Sequence, residues 1–204
     1  MTGLMQRFYE IMSDPLAPWA RALLAVLVLP LALSFTMPLW NIHMVAPQYP
    51  DGLDLDMYAH TIEGDVNEIN TLNHYIGMAR IDRASLSDLD WIPFAIGGLA
   101  LLALRVAVVG DIRSLIDLSV LLTYFGAFSL FRFYYKLYVF GHNLDPRAPF
   151  EMEPFTPVVF GTQQIANFTT SAYPRGGTLL ITIFATGVMG LMAWHLVRGL
   201  RQPR

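Results

Sequence analysis

Residues 22–40 read ALLAVLVLPLALSFTMPLW, nineteen consecutive residues without a charge. A helix of about 20 residues crosses a hydrocarbon core of roughly 30 Å, so this stretch predicts a membrane span. A cleaved signal peptide is the alternative, because the stretch lies near the N-terminus. The apolar run exceeds the core of a signal peptide, which is about 7–15 residues long, and no A-x-A cleavage site follows it. A retained span is therefore predicted.

Three further apolar stretches are predicted to span the membrane, at residues 91–109, 115–137 and 178–197. The composition agrees, since 54% of the 204 residues are hydrophobic and only 14% are charged, against about 25% charged in a soluble domain. The net charge of −3 lacks the basic footprint of a nucleic-acid binder. The predicted surroundings are membrane lipid, with no nucleic acid.

Arginine placement predicts the orientation. With the N-terminus inside, the short inner segments carry Arg7, Arg21, Arg105, Arg113, Arg198, Arg201 and Arg204. The long segments 41–90 and 138–177 hold twelve of the sixteen acidic residues. The positive-inside rule then places both termini in the cytoplasm and both long segments on the periplasmic side of a bacterial inner membrane.

The predicted fold class is an all-α membrane protein with four transmembrane helices and an outer cap formed by the two long loops. An amphipathic segment at 1–21, an inner loop at 110–114 and an inner tail at 198–204 complete the chain. Loop one, 41–90, is expected to contain a helix at 63–79, because apolar residues recur there at helical spacing. Loop two, 138–177, is rich in proline and is expected to hold only a short helix near 161–168.

Histidine and methionine are concentrated on the predicted outer side. Imidazole nitrogen and thioether sulfur together suit copper(I), whereas carboxylates alone suit hard cations. His74 and Met78 are four residues apart and would share a helix face. A third ligand is needed, with His142 the first choice and His43 the second. The alternative is structural, since methionine fills gaps in apolar surroundings and a surface histidine can serve only as a hydrogen-bonding group.

Aromatic residues crowd the stretch 124–140. This pattern is typical of an aromatic belt at the membrane interface; the alternatives are a surface for another subunit, or for a pigment or quinone. The ionisable residues of the spans, Arg105, Asp117 and His195, lie near the inner ends, which disfavours transport. No catalytic motif appears, and the chain has no cysteine. The protein is therefore predicted not to be an enzyme.

Four strings carry a family resemblance: APQYPDGL at 46–53, INTLNHYIGM at 69–78, GHNLDP at 141–146 and QIANF at 164–168. They resemble an uncharacterised family of small bacterial four-span membrane proteins, often encoded near genes for nitrous oxide reductase maturation and copper handling. The resemblance implies a copper-linked or respiratory context and defines no catalytic residue.

The sequence thus predicts a non-enzymatic integral membrane accessory protein. Its expected role is copper handling, or a scaffold for copper-enzyme maturation on the periplasmic side. The alternative is a structural subunit of a larger respiratory or photosynthetic membrane complex, held by the aromatic face of the third span.

Overall fold

The structure is a computed structural model that describes residues 9–165 and 167–201. Most of the predicted amphipathic helix at the N-terminus, and the last three residues, lie outside the described residues. The helices are α1 Pro18–Leu33, α2 Val66–Tyr75, α3 Asp88–Val109, α4 Ile112–His142 and α5 Gly176–Arg201. The strands are β1 Trp40–Ala46, β2 Tyr49–Met57, β3 Ile62–Gly64, β4 Gly161–Ile165 and β5 Phe168–Pro174.

Four of the helices in the described part of the chain are long and apolar enough to cross a membrane: α1 with its following 3₁₀ turn Ser34–Thr36, α3, α4 and α5. The prediction of four helices long and apolar enough to span a membrane is confirmed. Every bound except the end of the second of these helices at Val109 differs from the predicted one by two to five residues. The first span ends earlier, because Trp40 already belongs to β1, and α4 continues to His142, beyond the predicted end at residue 137.

The prediction of an all-α fold is wrong, because the strands form one five-stranded antiparallel sheet in the order β3-β2-β1-β5-β4. The fold is mixed α/β, with four helices that could span a membrane. Strand β1 comes from loop one and β5 from loop two, and they pair with Ile42 opposite Ala172. The sheet therefore joins the two long segments directly.

Side-chain alternation explains the strands. In β2, Leu53 and Leu55 are buried while Asp54, between them, is exposed. Buried and exposed residues alternate in this way in a strand that has one face in the core and the other in solvent. The predicted helix near 161–168 is wrong as well. That stretch instead begins the β4–β5 hairpin, in which Gln164 pairs with Thr169.

Helix α2 corresponds to the predicted helix at 63–79 but is shorter at both ends. Its buried residues Ile69 and Leu72 pack against the apolar side chains of the sheet, so the predicted apolar face is confirmed. The helix ends at Tyr75, and Gly77 follows with a φ of 76°. Residues 78 and 79 therefore lie outside the helix.

The chain forms two compact units, one of Met1–Leu33, Phe94–Gly126 and Leu180–Arg204, the other of Ser34–Pro93 and Ala127–Leu179. The second unit contains the sheet, α2 and residues 127–142 of α4. Its core lies between the apolar face of the sheet and α2. The second unit also contains every residue that lines the two cavities described below.

The first unit is tied together at helix ends. The guanidinium of Arg21 donates to the carbonyls of Ala107 and Val108, both at 2.7 Å, and so caps the last turn of α3. His195 is buried; its Nδ1 donates to Leu191 O at 2.8 Å and its Nε2 accepts from Ala17 N at 3.2 Å. Both ring nitrogens are thus occupied by backbone groups, which assigns His195 a structural role.

Candidate functional site

A surface cavity of about 370 Å³ contains the predicted donor pair. It is lined by His74, Gly77, Met78 and Ala79 on one side and by residues 143–148 on the other. We call it the His74 cavity. Two of the strings that carry the family resemblance, NHYIGM and GHNLDP, therefore meet at one place in the structure.

Backbone hydrogen bonds hold the two walls together. The N–H of Asp145 donates to Gly77 O at 2.8 Å, and the N–H of Phe150 donates to Tyr75 O at 3.0 Å. A Cβ on Gly77 would lie 2.8 Å from Asp145 O, closer than a side chain tolerates. Glycine is needed there both for this close approach and for its positive φ.

His74 and Met78 reach the cavity in different ways. His74 is exposed on the last turn of α2. Met78 follows the helix and is half-buried against the apolar cluster of Leu86, Leu89 and Phe140. The helical-spacing argument for the pair does not apply, because α2 ends at Tyr75 and the N–H of Met78 bonds back to Asn73 O at 2.9 Å. The turn nevertheless brings both residues to the same cavity.

His142, the first choice for a third ligand, does not line this cavity. It is the last residue of α4, and its ring stacks on Tyr138 with centroids 3.8 Å apart. Its Nδ1 donates to Tyr138 O at 3.0 Å. One nitrogen and one ring face are therefore occupied within its own helix.

His43, the second choice, does not line the cavity either and belongs to the polar face of the sheet. Its Nδ1 donates to Asp54 Oδ1 at 3.0 Å. The neighbouring Met44 points to the opposite, apolar face, because successive strand residues alternate. The structure thus places His74 and Met78 together, and the other two histidines at separate positions.

Asp145 is a cavity residue that sequence reasoning missed. The N–H of Arg147 donates to Asp145 Oδ1 at 2.9 Å, and this bond holds the pKa of the carboxyl below its usual value. The Arg147 guanidinium and the His74 imidazole act in the same direction. Asp145 therefore stays ionised beside His74. Its place in the string Asn-Leu-Asp-Pro, which is typical of a turn, was the signal that could have indicated it.

Across residues 9–165 and 167–201, no three imidazole or carboxylate side chains are grouped closely enough to hold a metal ion. The lining residues of the His74 cavity with side chains that can bind a metal are instead His74 and Met78, with Asp145 beside them. A soft pair of this kind fits copper(I) better than it fits calcium or magnesium.

The polar face of the sheet is organised by Asn41. Its Nδ2 donates to Asp54 Oδ1 at 3.1 Å and to Asp56 Oδ1 at 3.0 Å, and its Oδ1 accepts from Arg175 Nη2 at 2.9 Å. The Asn41 bond is the main cause that lowers the pKa of Asp54, partly opposed by desolvation. These contacts make His43 and its neighbours part of a structural network.

The aromatic stretch of α4 is largely exposed on the described chain. Tyr124 is 72% exposed and Phe131 is 61% exposed, and Phe128, Tyr134, Tyr135 and Tyr138 are exposed as well.

No family model matches the chain, and no curated protein and no solved structure matches it either.

Proposed function

We propose that this protein is a non-enzymatic membrane accessory protein that handles copper(I), with His74 and Met78 as its protein ligands. The observation that carries the proposal is that both residues line one surface cavity, His74 from the last turn of α2 and Met78 from the turn that follows it. Both residues lie in the string INTLNHYIGM, and the family that it resembles implies a copper-linked context.

The cavity's residues have separate roles in this proposal. The imidazole of His74 and the thioether of Met78 are soft donors, and copper bound to them would be held as copper(I). Asp145 supplies negative charge close to His74, which attracts a cation. Two protein ligands leave a coordination position open toward solvent, which suits an accessory protein that passes the ion to another protein.

The proposed location is the periplasmic side of a bacterial inner membrane, with both termini in the cytoplasm. The support is the distribution of arginine beside the spans and of acidic residues in the two long segments. A periplasmic cavity would be accessible to copper enzymes that mature on that side.

Copper(I) competition titrations on the purified full chain test the proposal. We expect His74→Ala and Met78→Leu each to weaken copper(I) binding by more than about tenfold. Loss of a group that only supports a metal ligand already weakens metal binding by about 10–100-fold, and loss of the ligand itself should weaken it at least as much. Met78→Leu keeps the apolar packing against Phe140, so its effect reports on the sulfur. His60→Ala is the matched control, an exposed histidine of the same unit that does not line the cavity.

His142→Ala separates this assignment from the three-ligand site expected from the sequence. We expect it to leave copper(I) affinity close to that of the unmodified protein, because its ring is engaged with Tyr138. Equal copper(I) affinity in the unmodified protein and His74→Ala would refute the proposal.

A second candidate, a structural subunit of a larger membrane complex, is supported by the exposed aromatic residues of α4. If the protein is such a subunit, a mild detergent should extract it from its native membrane together with partner chains. The double substitution Phe128→Ala and Phe131→Ala should then release it as a single chain. Leu101→Ala is the control, because Leu101 is 71% exposed but lies on α3. Extraction of the unmodified protein alone in a mild detergent would argue against this candidate.

A further inference from the structure

The interior of the sheet-bearing unit contains a second cavity of about 110 Å³, which we call the apolar cavity. It lies between the apolar face of the sheet, α2 and the end of α4. Ile42 and Leu55 line it from the sheet, Ile69 and Leu72 from α2, and Phe133 and Phe140 from α4. An engineered cavity of about 150 Å³ in another protein stays dry and binds benzene, so this smaller space suits a molecule no larger than a single small ring.

Three of the wall residues are polar: Asn73, Lys136 and Thr170. Asn73 is only 3% exposed, and its Nδ2 has no hydrogen-bond partner. Leaving a buried donor unpaired costs about 1–3 kcal/mol. Lys136 also lines the cavity, but its Nζ already donates to Ser85 O at 2.8 Å.

Among the described residues, three buried side-chain polar atoms lack a partner: Trp40 Nε1, Asn73 Nδ2 and Ser129 Oγ. Of these residues, only Asn73 lines the apolar cavity. A polar group that the fold leaves unpaired in an apolar wall is the usual arrangement of a small-molecule site, in which few polar groups fix the orientation of an apolar ligand.

We infer that the apolar cavity binds a small apolar molecule that carries one uncharged carbonyl, and that Asn73 Nδ2 donates to that carbonyl. Charged ligands are disfavoured, because the wall is mostly apolar and its one charged residue, Lys136, already donates to Ser85 O. The inference is independent of copper binding, since it concerns a different cavity; only Met78 lines both.

Two small probes of matched size and shape test the inference. Cyclopentanone has one five-membered ring and one carbonyl, and methylenecyclopentane has the same ring and the same number of heavy atoms but no oxygen acceptor. Binding of each is measured on the full chain in lipid nanodiscs, with the unmodified protein and Asn73→Leu. Leucine has nearly the shape of asparagine but no donor. For each probe, the binding measured with the unmodified protein is compared with that measured with Asn73→Leu. Partition of the probe into lipid is the same in both samples and therefore cancels.

We expect Asn73→Leu to weaken cyclopentanone binding about fivefold, equivalent to about 1 kcal/mol, and to leave methylenecyclopentane binding unchanged or tighter. His60→Ala is the control, because His60 lines neither cavity, and it should change the binding of neither probe. In the unmodified protein, the side-chain amide NMR signal of Asn73 should shift with cyclopentanone and not with methylenecyclopentane.

The NMR measurement needs no variant, so it remains decisive if Asn73→Leu fails to fold. The inference is overturned if neither probe binds the unmodified protein, or if both shift the Asn73 amide equally. Such results would leave the copper proposal untouched, because that proposal is judged by the His74→Ala titration.

Discussion

At the scale of single residues, Gly52 and His43 form a close contact on the polar face of the sheet. Gly52 has a φ of 88°, and a Cβ built there would overlap the His43 ring, at 2.2 Å from its Cε1. The imidazole therefore occupies the space that any other side chain at position 52 would need. This contact holds the ring beside Asp54, to which its Nδ1 donates.

We expect Gly52→Ala to destabilise the protein through both backbone strain and displacement of His43. Gly161→Ala is the matched control, since Gly161 has a φ of 97° and open space where its Cβ would lie. The strain of about 1–3 kcal/mol is common to both, and the overlap should add about 1–2 kcal/mol for Gly52→Ala alone. Unfolding of both variants in the same detergent measures the difference. Equal loss of stability would show that the His43 contact contributes nothing.

Residue chemistry alone could predict which side chains are capable donors, but not which of them have other partners. His43 and His74 are the same residue type, so the sequence alone does not distinguish their donor capacity. In the fold, Asp54 engages one, while the other lies exposed in a cavity. The difference arises from strand pairing that places Asp54 directly opposite His43, and no local pattern around either histidine reports it.

At the scale of elements, the amphipathic helix and the strands differ in how much signal they leave in the sequence. The buried face of α2 is local and recurs every three or four residues, so it was predictable. The alternation in β2 covers only Leu53 to Met57, and the strand also contains Asp51-Gly52, a pair that is typical of a turn. A short alternating run in a chain that is 54% hydrophobic is a weak signal, which is why the sheet was missed.

The β1–β2 pair should give the unit a dependence on acid pH. The pKa of Asp54 lies below its ordinary value of 3.8, chiefly because Asn41 donates to it. A carboxyl whose folded pKa is lowered contributes stability above about 3.8, and that contribution is lost as pH falls through the folded pKa. The contribution is below about 1 kcal/mol, since the Asp54 side chain is 52% exposed and solvent screens it.

Asp54→Asn should therefore lose less stability than the unmodified protein when the pH falls from about 6 to about 3. Asp51→Asn is the control on the same strand, an exposed carboxylate, and it should retain the full acid loss. Unfolding free energies measured across this range provide the test. Identical pH profiles for Asp54→Asn and the unmodified protein would contradict the assigned role of the Asn41 network.

At the scale of the whole molecule, the pairing of β1 with β5 is the feature furthest from sequence reasoning. Val45 lies opposite Thr169, more than a hundred residues away along the chain. Span length and arginine placement predict how often the chain crosses a membrane, but they carry no information on pairing between the segments that follow odd-numbered spans. Those segments must share one membrane side if they share one sheet.

The absence of cysteine allows this arrangement to be tested with single introduced thiols. Thr169→Cys and Asp51→Cys place a thiol at exposed positions of β5 and β2, and Arg113→Cys places one at an exposed position near the start of α4. With both termini inside, a membrane-impermeant thiol reagent should label positions 51 and 169 in intact cells, and position 113 only after the membrane is opened.

A double variant, Val45→Cys with Thr169→Cys, tests the pairing itself. Directly opposite residues of antiparallel strands have Cβ atoms about 4.5–5.5 Å apart, so a mild oxidant should join the two segments by a disulfide. Val45→Cys with Gln164→Cys is the matched control, because β4 lies two strands from β1 and the distance of about 9–10 Å exceeds the reach of a disulfide. Labelling of position 113 in intact cells, together with protection of positions 51 and 169, would contradict the predicted topology and indicate the opposite orientation. Equal crosslinking of the two pairs would refute the register between β1 and β5.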